Sequence, residues 1–371
     1  MTIHPKLSSG QEEKVEFPHI ICRGSPREIG YHHGQNAATQ IRSTIAFYTK
    51  VFEGSLNIPW ERAVVVAKRF LPMLESEVPE LVEEMTGVAE GASLSLEDIL
   101  VLNTRSEIMF GNAGDGCTAF SWKSPTTSSS WLAQNWDFHL SARENLIAQT
   151  IIRSSDAPVI SQIIEAGMLG KIGLNSAGVG VGLNAVVAPG TDFKRLPVHI
   201  ALRAVLENRS RKEAVEFLDR VGLASACHIL VADAASGGVG LEFSAVDCAS
   251  LKMDARGIVT HTNHFLRPHE KGVVSQVSFA TQIRLSRVNE LLREVQGQEA
   301  NRGVVEGILA DELYWPYSIN RSAGKETPAV TLFSIAMDLD RREATVKIGR
   351  PTEPIAELVL TPGLLGSKSR T

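Results

Sequence analysis

The sequence predicts an α+β fold in which two packed β-sheets are covered by helices. Three observations carry that prediction. Apolar residues recur at helical spacing through the first third of the chain, and from Cys117 onward the pattern changes to short apolar runs bounded by turn residues. Helical stretches then interrupt those runs in blocks. The 371 residues suffice for a sizeable core, and 43% hydrophobic with 21% charged residues is an ordinary globular composition.

The elements follow in order. Met1 to Phe17 is polar, lacks the features of a signal peptide and reads as a loose leader. Pro26-Arg27-Glu28-Ile29-Gly30 opens a helix that carries Ala37, Ile41 and Ile45 on one face. Pro59 to Met73 and Val78 to Ala92 are predicted as two more helices, and Leu96 to Leu102 starts another. The predicted strands are Thr118–Trp122, Ser130–Trp136, Ile147–Arg153, Val159–Ile164, Gly178–Ala185, His228–Ala232, Val239–Phe243 and Ile258–Thr262. Ser124 to Ser129 is a hairpin loop. Helices are expected around Pro197–Glu207, Arg211–Val221 and Ala280–Val295. Val330–Leu339 and Glu343–Gly349 close the pattern as a hairpin about Asp340-Arg341-Arg342.

Several function classes are set aside on composition. A net charge of −5 gives no reason to expect nucleic acid or an anionic membrane as partner. No apolar run approaches the ~20 residues that span a bilayer. The final Ser369-Arg370-Thr371 lacks the leucine of a peroxisomal S-K-L tripeptide, so the expected location is the cytoplasm. Cys22, Cys117, Cys227 and Cys248 have no CxxC spacing, which argues against a disulfide framework. Cys227 and Cys248 read as core fillers.

The junction Asp115-Gly116-Cys117-Thr118 bears the chemistry. It follows Gly111-Asn112-Ala113-Gly114 and enters a strand, so a thiol there can attack the carbonyl of the preceding residue. Gly116 leaves that carbonyl accessible and tolerates a strained backbone. Hydrolysis of the resulting thioester would free the α-amine of Cys117. Such an amine has a reference pKa of ~7.7–8.0, which suits it to act as base for its own thiol. On the dipeptide alone, a buried strand cysteine acting as a small hydrophobe is the commoner reading.

The wider pattern decides between the two. Asp115 to Thr118 followed by Ala133-Gln134-Asn135-Trp136-Asp137-Phe138 resembles the acyl-CoA:isopenicillin N acyltransferase family of N-terminal-nucleophile hydrolases. The likeness continues through Ile99 to Glu107, Glu165 to Gly173, Asn175 to Val179 and His199 to Arg203. Further matches are Gly240 to Ser244, His261-Thr262-Asn263-His264, Pro316 to Ile319 and Arg341 to Val346. It covers roughly Ile20 to Pro354, and its specificity lies in the ordered set.

The resemblance implies a four-layer αββα sandwich with a helical N-terminal segment. It also implies self-cleavage between Gly116 and Cys117. Residues 1–116 would become a mostly helical small subunit and residues 117–371 a catalytic subunit, the two staying associated. Cys117 is the implied nucleophile, Asp137 lies beside the amine and substrate, and Asn263 donates to the oxyanion. The implied activity is a cysteine N-acyltransferase that moves an acyl group, from an acyl-CoA or an amide, onto a small-molecule amine of secondary metabolism. An amidohydrolase passing the same acyl group to water is the alternative, and an inactive relative kept as a binding module is a third reading. No cofactor is implied beyond acyl-CoA as co-substrate.

One departure bears on the substrate. The penicillin-making members carry a Ser-Arg pair before a Gly-Ala-Thr-Leu-Phe strand, where this chain reads Glu326-Thr327-Pro328-Ala329-Val330-Thr331-Leu332-Phe333. Arg321 matches a different family position. Other signals are weak. His32-His33 and His261-x-x-His264 lack the carboxylate that would complete a zinc set, and no metal is expected. Gly178-Val179-Gly180-Val181-Gly182 fails the dinucleotide fingerprint at Leu183 and reads as a strand with close backbone packing.

Overall fold

A computed structural model describes residues 17–109, 116–127, 129–324 and 329–366. The expected leader up to residue 16, the Gly111–Gly114 stretch and Glu326–Pro328 lie outside them. In chain order the first part contains β1 (His19–Gly24), α1 (Pro26–Asn36), α2 (Ala38–Leu56), α3 (Trp60–Lys68), α4 (Leu71–Glu77), α5 (Pro79–Ala92), α6 (Leu96–Asn103) and α7 (Arg105–Ile108). Next come β2 (Gly116–Lys123), β3 (Ser130–His139), β4 (Leu146–Arg153), β5 (Ile160–Glu165), β6 (Ile172–Asn175), β7 (Val179–Ala185), α8 (Val198–Leu206) and α9 (Arg211–Val221). The chain continues with β8 (Cys227–Asp233), β9 (Gly237–Phe243), β10 (Cys248–Lys252), β11 (Ile258–His261), α10 (Phe279–Glu294) and α11 (Arg302–Leu309). It ends with β12 (Ala329–Asp338), β13 (Glu343–Arg350), β14 (Glu353–Leu360) and α12 (Pro362–Gly366).

The strands form an eight-stranded sheet, β1-β4-β5-β6-β7-β8-β9-β10, and a six-stranded sheet, β11-β2-β3-β12-β13-β14. Alternation along β2 and β3 sends each face to a different neighbour. Leu132 and Gln134 point toward the eight-stranded sheet, where Gln134 Oε1 accepts from Leu183 N at 2.9 Å and Gln134 Nε2 donates to Leu183 O. Phe120, Trp122, Trp131 and Ala133 point the other way and pack with Val288, Leu292, Val305 and Ile308 of α10 and α11. On the eight-stranded sheet, α8 and α9 pack against β6, β7 and β8. The result is helix, sheet, sheet, helix, the expected four-layer sandwich. Gly180 and Gly182 lie where the sheets meet. A Cβ on Gly180 would sit 2.8 Å from Leu339 Cδ2, and one on Gly182 2.7 Å from Gln134 Oε1, so close sheet packing explains these glycines.

The N-terminal part is not purely helical. β1 pairs in parallel with β4 from His19↔Ala148 to Gly24↔Arg153, so residues before Cys117 supply an edge strand of a sheet made otherwise by residues after it. One apolar cluster spans both parts, from Ile41 and Phe52 to Trp136 and Val346. Buried polar links join them as well, with Arg203 Nη1 on Glu84 Oε1 at 2.8 Å and Val198 N on Glu107 Oε1 at 3.0 Å. No helix among the described residues is long and apolar enough to cross a membrane.

Two expected helices are each split in two. The helix opening at Pro26, with its Ser25–Glu28 capping box, stops before Ala37, whose φ of −124° is not helical. α2 then starts afresh and buries Ile41, Thr44, Tyr48 and Phe52. The Pro59–Met73 stretch likewise divides into α3 and α4. Ahead of the first break, α1 and α5 run side by side with their backbones almost touching. Gly30 and Gly34 of α1 face Gly87 and Gly91 of α5, and any Cβ on Gly30 would overlap the carbonyl oxygen of Glu84. Four small residues thus allow the two helices to pack backbone to backbone just before the chain turns into α2.

Gly→Ala inside a helix ordinarily stabilises by about 1 kcal/mol. Gly30→Ala is expected to do the reverse, lowering the unfolding free energy by about 1–3 kcal/mol or more, because the obstruction is backbone. Urea denaturation of both proteins checks it, and a variant within about 0.5 kcal/mol of wild type would refute the close crossing.

Candidate active site

β2 begins at the junction singled out in the sequence, and its register on β3 assembles the site. Gly116 lies opposite Asp137 and Cys117 opposite Trp136. β12 adds Thr331 opposite Asp137 on the other side. Strand alternation therefore puts Cys117 and Trp136 on the inter-sheet face, and Gly116 and Asp137 on the opposite face.

Gly116 is confined by its neighbours. A Cβ there would lie 2.5 Å from Arg321 Nη1 and 3.0 Å from Asp137 Oδ2. Close approach of a carboxylate and a guanidinium is thus what this position requires, and Gly116 has no left-handed φ. Asp137 Oδ1 accepts from the Thr331 hydroxyl at 2.7 Å, and that hydroxyl accepts from Arg321 N at 2.9 Å. Asp137 Oδ2 is buried beside Gly116 with no hydrogen-bond partner among the described residues. Burial raises the Asp137 carboxyl, while Arg321, Arg284 and the Thr331 hydroxyl draw it back, and the net direction is upward.

Asn263 follows β11. Its Oδ1 accepts from Cys117 N at 2.9 Å and from Arg284 Nη2 at 2.8 Å, while its Nδ2 donates to Ala185 O at 2.9 Å. Cys117 N and Arg284 Nη2 can only donate, so the atom they share must be the oxygen, which settles the amide orientation. One hydrogen of Nδ2 is engaged by Ala185, and the second remains for another acceptor. The loop carrying Asn263 is tied down by Glu242 of β9, whose Oε1 takes Leu266 N at 2.6 Å and His261 Nε2 at 2.8 Å. Its Oε2 takes Arg267 N at 3.0 Å. His228 stacks on His261 at 3.7 Å between centroids. The Asn263 backbone N–H donates to Thr281 Oγ1 at 2.7 Å, which joins the loop to α10.

The structure therefore brings Gly116, Cys117, Asp137 and Asn263 together. It adds residues that sequence reasoning gave no role, namely Arg284, Arg321, Thr331 and Glu242. Arg284 had a legible signal. It occupies a core-facing position of α10, in line with Thr281, Val288 and Leu292, where an arginine is out of place. The histidine pairs take other parts. His33 is buried and accepts from Gly167 N at 3.1 Å, His261 pairs with Glu242, and His264 meets Thr281 Oγ1. Among the described residues no group of three or more His, Cys, Asp or Glu side chains is arranged to hold a metal. Cys227 is buried and Cys248 half-buried, and burial pushes the Cys248 thiol up to about 12.

Beneath Cys117 lies a buried charged cluster. Lys171 Nζ sits 3.4 Å from the Trp136 ring centroid and 2.6 Å from Glu165 Oε2. Tyr48 donates to Glu165 Oε1 at 2.6 Å and Arg105 to Oε2 at 3.3 Å. Burial alone would raise Glu165, but the charges and hydrogen bonds of Lys171, Arg105 and Tyr48 outweigh it and hold the carboxyl at about 2.

The chain belongs to the acyl-coenzyme A:6-aminopenicillanic acid acyl-transferase family, whose model matches residues 122–353. It is accordingly an enzyme of acyltransferase or amidase type. It is 36% identical over 356 residues to the acyl-coenzyme A:6-aminopenicillanic-acid-acyltransferase 40 kDa form of Emericella nidulans, covering 95% of this chain and 98% of that one. Among solved structures, a Caenorhabditis elegans N-acylethanolamine-hydrolyzing acid amidase ortholog aligns at 19% identity with a TM-score of 0.47, over 60% of this chain and 93% of its own. A mutant of the conjugated bile acid hydrolase of Clostridium perfringens aligns at 13% identity, also with a TM-score of 0.47, over 66% and 92%.

Because the folded value of Glu165 lies below its unfolded one, its stabilising contribution is complete above about pH 4.5 and is lost as pH falls toward 2. The stability gap between wild type and Glu165→Gln is therefore expected to shrink by about 2 kcal/mol between pH 5 and pH 3. Urea titrations at the two pH values measure it. A gap that stays constant would show that the cluster does not hold Glu165 ionised.

Proposed function

We propose that this chain is a self-activating cysteine N-acyltransferase. Cys117 Sγ attacks the Gly116 carbonyl, the peptide C–N bond breaks as the amide nitrogen takes up a proton, and a thioester joins Gly116 to Cys117. Water hydrolyses that ester, giving a Gly116 carboxylate and a Cys117 with free thiol and α-amine. In turnover the amine takes the thiol proton, and Sγ displaces the thiol of an acyl thioester such as acyl-CoA. The acyl-enzyme then passes its acyl group to a small-molecule amine, which loses a proton as the thiol is regenerated.

One observation carries this reading. The backbone nitrogen that would become the amine already rests on Asn263 Oδ1, while Asp137 turns toward Gly116, the residue that would leave, a carboxylate oxygen with no hydrogen-bond partner among the described residues. The second hydrogen of Asn263 Nδ2 suits a developing oxyanion. The acyl donor follows from the Emericella relative, whose name specifies acyl-CoA and 6-aminopenicillanic acid. We assign the acceptor only as an amine of a small molecule, of the kind found in secondary metabolism. The parts before and after the cut remain together in this reading, supported by the shared β1–β4 ladder and the Arg203–Glu84 pair.

Intact mass and N-terminal sequencing of wild type beside Cys117→Ala test the reading. The expected result is a large fragment beginning Cys117-Thr118-Ala119 from wild type and a whole chain from the variant. Amide formation from acyl-CoA should require an added amine, whereas free acid released from an amide without one would move the assignment to an amidohydrolase. Asn263→Ala should lower kcat about 10²–10³-fold. A wild-type chain that stays whole and turns over without Cys117 would overturn the proposal.

A further inference from the structure

The cut proposed above creates a difficulty that the intact chain does not have. Cys117 would lose its covalent tether on one side and become a chain end, and chain ends fray unless something ties them down. A reacting thiol can tolerate little of this, since a misplacement of about 1 Å costs on the order of 10²-fold in rate.

A closed ring of hydrogen bonds surrounds the residue. Cys117 N donates to Asn263 Oδ1 at 2.9 Å, and Arg284 Nη2 donates to the same oxygen at 2.8 Å. Arg284 Nη1 donates to the Cys117 carbonyl and, at 3.1 Å, to Thr118 Oγ1. One planar guanidinium thus grips both sides of the residue, the carbonyl directly and the nitrogen through Asn263. Its own place is firm. Arg284 is 2% exposed on α10, whose Val288 and Leu292 pack under Phe120 and Trp122 of β2.

The arrangement is a costly one for stability alone. Among the described residues Arg284 donates to three neutral oxygens, and no carboxylate lies within ion-pair distance. Burial draws the guanidinium down to about 10, with Asp137 opposing the shift and Arg321 adding to it. An apolar side chain would fill a core-facing helix position at less cost.

Resting on the nucleophile assigned above, we propose that Arg284 is a positioning residue that holds Cys117 in register once the Gly116–Cys117 bond is broken. It then matters for turnover and not for the cut. Before cleavage the chain itself holds Cys117 from both sides. Afterwards the bond to Thr118 and the β2–β3 pairing still hold its carbonyl side, and the ring holds the side that the cut frees.

Three variants test this: Arg284→Lys, Arg284→Gln and the near-isosteric Thr118→Val. Lysine keeps the charge but has no planar fork to bridge the two oxygens. For each, mass spectrometry follows the cleavage rate, and kcat and KM are measured per mole of cleaved protein with acyl-CoA and an amine. The arginine variants should cut themselves within about twofold of wild type, while kcat falls about tenfold to hundredfold and KM stays within about threefold. Thr118→Val, which removes only one of the bonds to Arg284, should show a severalfold loss of kcat with normal cutting, and it carries the test if an arginine variant does not fold. Cleaved Arg284→Lys turning over like wild type would overturn the proposal. So would cutting and turnover that fall in proportion in Arg284→Lys and Thr118→Val, since that marks a general packing role. A wild type that never cuts, or a Cys117→Ala that still turns over, sinks the nucleophile assignment itself, whatever Arg284 does.

Discussion

Gly116 and Asp137 oppose each other across β2 and β3, and the space between those strands on that face is filled by the Asp137 carboxylate and the Arg321 guanidinium. The rest of the site depends on that register. A slip of one residue would turn every β2 side chain to the other face. Cys117 would leave Trp136 and the inter-sheet space for the α10 layer, and Thr118 would lose the arginine that meets its hydroxyl. Phe120 and Trp122 on one face and the tight Gln134–Leu183 contact on the other hold the register, so the core packing and the site geometry are set together.

Charge is buried in several places, and each instance joins segments far apart in sequence. Glu84 of α5 meets Arg203 of α8, Glu165 of β5 meets Lys171, Arg105 and Tyr48, and Glu242 of β9 holds His261 with the loop beyond it. Buried pairs of this kind add little net stability over apolar packing, yet breaking one costs about 3–5 kcal/mol because the survivor stays buried. Each therefore opposes any rearrangement that would part the segments it joins. Around Glu242 the consequence is direct, since the carboxylate that orders Leu266 N and Arg267 N also orders the turn that aims Asn263 at Cys117.

Much of this was legible in the residues, and the failures have physical reasons. Periodicity found most strands within a residue or two, and the ordered motifs singled out Cys117, Asp137 and Asn263. β1 carries no clear sequence signal because a six-residue edge strand with mixed burial has no clean alternation, and β10 is similarly short and half exposed. β14 alternates in burial but not in residue type, since Pro354 stands near its start and Leu358-Val359-Leu360 is a continuous apolar run. The break at Ala37 was invisible because a helical pattern runs through it. Likewise unrecorded in it is the backbone contact of α1 with α5, some fifty residues away. Arg284 was the most consequential omission. Its core-facing place on α10 is legible, but its partners come from β2 and the β11–α10 loop, and no local spacing records a contact made across 167 residues.

The position of the proposed cut follows from the same architecture. The β2–β3 ladder starts at Gly116, so a break just after it removes one terminal ladder residue and leaves the pairing from Cys117 to Lys123 in place. Residues before the break remain tied through β1, through Tyr48 and Arg105 at Glu165, and through Glu84 at Arg203. None of these contacts involves the bond itself. A nucleophile made by cutting its own chain has to be held in its working position by contacts that exist before the cut, because nothing is added afterwards. Asn263, Arg284 and Ala185 already supply such contacts around the uncut Cys117, so the proposed cleavage would remove a constraint without requiring the site to be rebuilt.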